Sequence, residues 1–241
     1  MKIFAKIKSI YAAIVIVILV TLNILCFMLA NEKNYKKIKR FFSNAILKLL
    51  RIEVEYVGDI DNDAQMLVMN HSSLIDIVAI EAIYPKDMVW IAKKELFDTP
   101  FFGLLLKLPK NIKLDREDKR SIIYLLKEAK EKVKYKTIAI FPEGTRGRGE
   151  RLLPFKPGAK IIANQLKLKV QPAVIVCSKE RFDSKSLKYN PGKVKVIFLD
   201  SFYPENNKDW LSDLRKKMQE ILDKEKKSLC PNSRSTKTTQ A

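Results

Sequence analysis

The sequence predicts an α/β fold, a mixed and largely parallel sheet flanked by helices, with a membrane-embedded helix and an amphipathic helix leading into it. Three observations predict it. Short apolar runs alternate with helix-periodic segments from residue 52 onward, the order that builds strand–helix–strand units. Residues 9–30 carry no charged side chain, and about 20 apolar residues suffice to cross a bilayer core. The length, 241 residues, accommodates one sizeable domain with an appendage.

The N-terminal stretch opens with Lys2, Lys6 and Lys8 and continues into an uninterrupted apolar run at residues 12–20. A cleaved leader has the same outline, but the run is long for one and its exit, Met28-Leu29-Ala30, lacks the small-x-small pattern. Apolar on every side, the segment does not suit a helix with one buried face either. Membrane insertion follows, spanning or re-entrant. Lys33, Lys36, Lys37, Lys39 and Arg40 outnumber the leading lysines. For a spanning helix that bias places the main domain on the cytoplasmic side of the inner (cytoplasmic) membrane.

A helix with two faces is expected next. Ile38, Phe41, Phe42, Ala45, Ile46, Leu49 and Leu50 recur at i, i+3, i+4 spacing, and Lys36, Lys37, Lys39, Arg40, Lys48 and Arg51 occupy the other side. Such a helix suits either the headgroup layer of an anionic membrane or a docked surface position, and the adjoining apolar helix favours the membrane. Strands are then expected at 52–56, 66–69, 88–92, 137–141, 170–176 and 194–198, and helices at 73–83, 119–133, 159–166 and 209–227. The chain divides on this reading into a helix pair at 1–51, an α/β domain at 52–227 and a disordered polar tail at 228–241.

Charge narrows the partners. The chain holds 46 Lys+Arg against 27 Asp+Glu, a net charge of +19, which calls for an anionic partner: nucleic acid, acidic lipid or a phosphorylated substrate. No nucleic-acid recognition motif is present, so lipid is favoured. Cys26, Cys177 and Cys230 are odd in number and far apart. They match neither a metal-ligand spacing nor a disulfide framework, which points to a reducing compartment.

The one histidine of the chain is His71, within Asn70-His71-Ser72-Ser73-Leu74-Ile75-Asp76. If an imidazole serves as base here, no other is available. Asp76 is five residues on, about 140° around an ideal helix, so the two meet only if His71 lies in the loop before the helix and Asp76 in its first turn. There a carboxylate would accept from one imidazole nitrogen and leave the other as a base. Ser73-x-x-Asp76 is equally the pattern of a capping box. A second cluster, Phe141-Pro142-Glu143-Gly144-Thr145-Arg146, follows an apolar strand and packs a carboxylate, a glycine and a guanidinium suited to phosphate into one turn. A third, Lys113-Leu114-Asp115-Arg116, brings cations to the end of another apolar alternation.

In order and approximate spacing these three segments, with Val170-Gln171-Pro172, resemble the glycerolipid acyltransferase family over residues 66–176. Phe155-Lys156-Pro157-Gly158-Ala159 resembles a further segment of it. The resemblance implies that His71 is the general base that takes the acceptor's hydroxyl proton, that Asp76 orients it, and that the oxygen attacks an acyl thioester directly. It implies that Glu143, Gly144 and Thr145 hold the glycerol, and that Arg116 and Arg146, with Lys113 and Lys156 as lesser candidates, bind the phosphate. The implied reaction moves an acyl group from acyl-CoA or acyl carrier protein to lysophosphatidic acid, giving phosphatidic acid. No cofactor and no metal are expected, so activity should survive a chelator. Lys110 stands where the family usually has a glycine, and the neighbours of Pro172 differ from the family pattern. Three other readings compete: acylation of glycerol 3-phosphate or another lysolipid, a non-catalytic membrane-tethered protein that binds anionic lipid, and a hydrolase using Ser72 or Ser73. The last lacks a G-x-S-x-G elbow.

Overall fold

The computed structural model describes residues 2–115, 121–205 and 209–230. Its elements in chain order are α1 (Lys2–Leu29), α2 (Tyr35–Leu49), β1 (Ile52–Val57), β2 (Met66–Met69), α3 (Ile75–Ile83), β3 (Met88–Lys93), α4 (Lys94–Phe97), α5 (Phe102–Lys107) and β4 (Ile112–Leu114). They continue with α6 (Ser121–Lys132), β5 (Thr137–Ile140), α7 (Gly158–Gln165), β6 (Val170–Val176), α8 (Ser178–Arg181), β7 (Phe182–Asp183), β8 (Lys188–Tyr189), β9 (Gly192–Phe198) and α9 (Trp210–Leu229).

Seven strands form one sheet in the order β1-β9-β6-β2-β5-β3-β4. All its pairings are parallel except β6 with β9. The expected α/β architecture is therefore present. The central strands β2, β5 and β6 are buried along their whole length, which is why they read as continuous apolar runs rather than alternating ones. Period-2 geometry sends Met66 and Val68 to one face and Leu67 and Met69 to the other. The first face is covered by α6, α7 and α9 through Leu125, Ile162 and Met218. The second is covered by α1, α2 and α3 through Ala12, Ile46 and Ile80. The helix pair at the N-terminus thus shares a core with the sheet.

On its outer side α1 leaves Ile7, Ile14, Val17, Leu25 and Met28 exposed, and its Lys6–Leu29 span is long and apolar enough to cross a membrane. The amphipathic α2 differs from expectation in one respect. Lys39, placed on the basic outer face by periodicity, is turned inward and buried. Its ammonium pairs with Glu81 at 3.2 Å and Asp87 at 2.8 Å and donates to the Met88 carbonyl at 2.9 Å. A buried carboxylate and a half-buried one supply what a buried cation requires. Phe41, assigned to the apolar face, is exposed among Lys37, Arg40 and Lys48.

Other differences have local causes. The helix expected from residue 73 begins at Ile75, with Leu74 as its cap residue and the Ser73 hydroxyl, just before it, accepting from Ile75 N at 3.1 Å. Pro172 lies inside β6, between β9 and β2, and not at an edge of the sheet. It is tolerated because the β6–β9 ladder starts one residue later, at Ala173, so its missing N–H deprives no strand. Lys110 adopts φ 58°, the left-handed conformation that glycine takes without penalty. Cys177 and Cys230, read as unpaired, are joined as a disulfide between the end of β6 and the end of α9, with a Cα–Cα separation of 6.4 Å. A contact spanning 53 residues has no local sequence signal. The expected tail at 228–241 is helical at Ser228 and Leu229. Its residues 231–241 lie outside the described part.

Candidate active site

His71 sits in the loop that leaves β2, at the carboxyl end of the parallel sheet, where open α/β sheets bind ligands. Asn70 fixes the start of this loop. Its side-chain amide donates to the Ile175 carbonyl at 2.9 Å and accepts from the Ile175 N–H at 2.7 Å, pinning it to β6. The His71 N–H donates to Glu143 Oε1 at 2.7 Å, and its carbonyl accepts from Gly147 N at 2.8 Å. The backbone of the histidine is held on both sides before its ring is considered.

Nδ1 of His71 lies 2.8 Å from Asp76 Oδ2. The same oxygen accepts from the backbone N–H of Ser72 at 2.6 Å and of Ser73 at 2.8 Å. One oxygen of Asp76 thus contacts both the N–H groups of the turn into α3 and the imidazole. Its carboxylate satisfies the first N–H groups of the turn into α3 and, anchored there, faces the imidazole. Nε2 is left without a partner among the described residues. The imidazole plane is set separately: the ring of Phe141 stacks on it with centroids 4.0 Å apart and planes 7° from parallel.

The Phe141–Arg146 turn is folded around Gly144, whose φ of 66° and N–H bond to the Phe141 carbonyl at 2.9 Å close a tight reversal. Glu143 is buried and does not line the cavity. Its second oxygen accepts from Leu153 N at 2.8 Å, so the carboxylate bridges this turn, the histidine loop and the following segment. Burial pushes the Glu143 carboxyl up, while the N–H groups of His71 and Leu153 pull it down; the net shift is upward.

These elements surround a cavity of about 730 Å³, within the range of small-molecule sites. His71, Gly144, Thr145, Arg146 and Lys156 line it, and so do Pro142 and Phe141. Val20 and Phe27 of α1, Phe42 and Ile46 of α2, Ile77 of α3 and Leu105 of α5 give it an extended apolar wall. Arg146 is half-buried and donates to Ser184 Oγ. Lys113 is exposed and outside the cavity wall, and Arg116 lies outside the described residues. Asp115 of the third cluster lines the cavity, and so do Lys93 and Trp90, which sequence reasoning overlooked. Lys93 ends β3, and its position at a strand's carboxyl end was the available signal. Among the described residues, the cluster of metal-type donors is Cys177, Glu180 and Cys230, with the two sulfurs joined to each other and none of the three lining the cavity.

The sequence model of the family described as Acyltransferase matches residues 51–176. A 1-acyl-sn-glycerol-3-phosphate acyltransferase of Helicobacter pylori is 40% identical over 215 residues, 88% of this chain and 91% of that protein. One from Saccharomyces cerevisiae is 30% identical, covering 83% of this chain and 69% of its own length. The crystal structure of the 1-acyl-sn-glycerophosphate acyltransferase from Thermotoga maritima shares the fold, with a TM-score of 0.74 at 23% identity over 98% of this chain and 99% of that one.

Proposed function

Because the chain belongs to the acyltransferase family, we propose that it transfers an acyl group from a thioester, acyl-CoA or acyl carrier protein, to the sn-2 hydroxyl of 1-acyl-glycerol 3-phosphate. The product is phosphatidic acid. One observation carries this reading. His71, tied through Nδ1 to Asp76, borders a cavity lined both by the cations Lys93, Arg146 and Lys156 and by apolar side chains of α1, α2, α3 and α5. An amphiphile with a phosphate, a hydroxyl and an alkyl chain matches that arrangement.

In this reading Nε2 of His71 takes the proton of the acceptor hydroxyl as its oxygen attacks the thioester carbonyl. Asp76 holds the tautomer and stabilises the imidazolium that forms. Collapse of the tetrahedral adduct expels the thiolate, which recovers the proton from His71. Positioned proton transfer of this type contributes about 10²–10⁴-fold. Arg146, Lys156, Lys93 and Arg116 supply positive charge for the phosphate, Gly144 and Thr145 bound the glycerol, and Glu143 keeps the two loops in register. The apolar α1 and the basic, Phe41-bearing face of α2 hold the domain to an anionic membrane on its cytoplasmic side.

The test supplies purified protein in detergent micelles with lysophosphatidic acid and, in turn, each thioester donor, and follows phosphatidic acid by thin-layer chromatography. Glycerol 3-phosphate is assayed in parallel as acceptor. Product from the native protein, with a loss of at least about 100-fold in correctly folded His71→Ala, is the expected result. Equal rates from both proteins remove His71 as the base. No product with either donor, despite lysolipid binding, refutes the acyl-transfer reading for this acceptor.

A further inference from the structure

A histidine anchored at one ring nitrogen can still rotate about that contact. Asp76 fixes Nδ1 but does not fix the plane of the imidazole, and the plane decides where Nε2 points. The stack on Phe141 fixes it, which raises the question of what holds Phe141. Its ring stacks in turn on the indole of Trp90, with centroids 5.2 Å apart and planes 28° from parallel. The indole is itself clamped: Trp90 Nε1 donates to Glu81 Oε1 at 2.7 Å. That same oxygen lies 3.2 Å from the ammonium of Lys39. Lys39 is fixed independently by Asp87 and the Met88 carbonyl.

We propose that Lys39, Glu81 and Trp90 are positioning residues that set the plane of the His71 imidazole through the ring of Phe141. Lys39 comes from α2, Glu81 from α3, Trp90 from β3 and Phe141 from the end of β5, so four elements converge on one ring. All three line the same cavity as His71, and no hydrogen bond, ion pair or ring stack joins any of them to it directly among the described residues. A buried Lys–Glu pair gives little net stability over apolar residues of similar volume, whereas it orients an indole N–H in a way that apolar packing does not. Lys39 also belongs to the helix that carries Lys37, Arg40 and Phe41 outward, so the seating of that helix against the sheet is communicated to the base.

The proposal rests on His71 being the base, and its test is chosen so that the two fail separately. His71 is the single histidine of the chain, so protein labelled with ¹³C,¹⁵N-histidine gives one imidazole signal set, displaced by the ring currents of Phe141 and Trp90. The full chain in micelles is compared with Lys39→Met, Lys39→Arg, Glu81→Leu and Trp90→Phe. Lys39→Met and Glu81→Leu are expected to move the imidazole resonances and, like Trp90→Phe, to lower kcat by about 10- to 100-fold, the scale of a sub-ångström to 1 Å misplacement. KM for lysolipid and donor should change less than kcat, and Lys39→Arg should restore both the signal and the rate. Trp90→Phe changes the ring current itself and so serves the rate comparison; Glu81→Leu keeps the indole ring and removes its hydrogen-bond acceptor, so it decides the matter if Lys39→Met does not fold. Unmoved imidazole resonances in folded Glu81→Leu overturn the proposal, whatever happens to the rate. Moved resonances with an unchanged kcat overturn its link to catalysis. If the native protein makes no phosphatidic acid, the acyl-transfer reading fails, while the resonances still report whether these residues orient the ring.

Discussion

At the scale of single residues, the two oxygens of Asp76 have unequal tasks. Oδ2 takes all three hydrogen bonds, from His71 Nδ1 and the N–H groups of Ser72 and Ser73, whereas Oδ1 is buried without a partner among the described residues. An asparagine can place its carbonyl oxygen where Oδ2 is and its amide nitrogen where Oδ1 is. Asp76→Asn should therefore fold but lose about 1–3 kcal/mol of stability, because its amide nitrogen becomes a buried donor where Oδ1 has no partner. Its kcat should fall by roughly 10- to 100-fold, since a hydrogen bond to a charged group is worth about 1.5–3 kcal/mol and the imidazolium loses one. Denaturant midpoints beside steady-state rates check both halves; lost stability with an unchanged kcat in the folded protein would assign Asp76 to capping alone. Much of this site was legible in the sequence. A single histidine five residues before an aspartate, with serines between, fixed the loop-then-helix geometry. Phe141 was visible as the end of an apolar run, but its stacking was not, because ring-on-ring contact depends on how β5 and β2 are placed side by side.

At the scale of elements, strands and long helices were legible because burial on both faces or on one leaves continuous or periodic apolar patterns. The pieces between β3 and α6 were not: α4, α5 and β4 span four, six and three residues, too short for a period to establish itself. The inward turn of Lys39 was hidden for a different reason. Periodicity assigns a lysine to the wet face, and only the tertiary neighbours Glu81 and Asp87 reverse that. Loops between elements depend on similar long-range pairs. Asp61, in the connection from β1 to β2, pairs with Lys169 at 2.7 Å and accepts from Ser201. These two bonds, Lys169 first, lower its pKa from 3.8 to about 2. A carboxyl with a depressed folded-state pKa contributes stability above its unfolded value and loses it as pH falls through the folded one. The stability difference between native protein and Asp61→Asn should accordingly hold steady above pH 3.8 and shrink toward pH 2. Urea midpoints taken along a pH series test this, and a gap that persists undiminished to the acid end would show that Asp61 acts through shape and not charge.

At the scale of the whole molecule, the N-terminal helices and the sheet that carries His71 are not separable modules. The cavity that begins at His71 is completed by Val20 and Phe27 of α1 and by Phe42 and Ile46 of α2, and α1 and α2 contribute Ala12, Ile46, Leu47 and Leu50 to the same core as β2 and β6. An alkyl chain bound there would lie between the sheet and α1, so the wall of the cavity and the helix long and apolar enough to cross a membrane are one structure. That arrangement makes the reach of the cavity a property of α1. Val20 is half-buried and faces this space, and replacing it with tryptophan fills volume at the apolar wall while leaving the cationic end untouched. Forcing extra side-chain volume into a packed site costs typically about 1–3 kcal/mol, so discrimination between chains that need that volume and chains that stop short of it should shift by about 5- to 150-fold. Rates measured with a long-chain and a short-chain thioester should diverge in Val20→Trp, the long donor losing activity and the short one keeping it. If both donors fall together, the apolar wall at α1 supports the fold without receiving the chain that is transferred. The alkyl group already on the lysolipid would then be its occupant, and the same two-length comparison repeated on the acceptor would show the divergence instead.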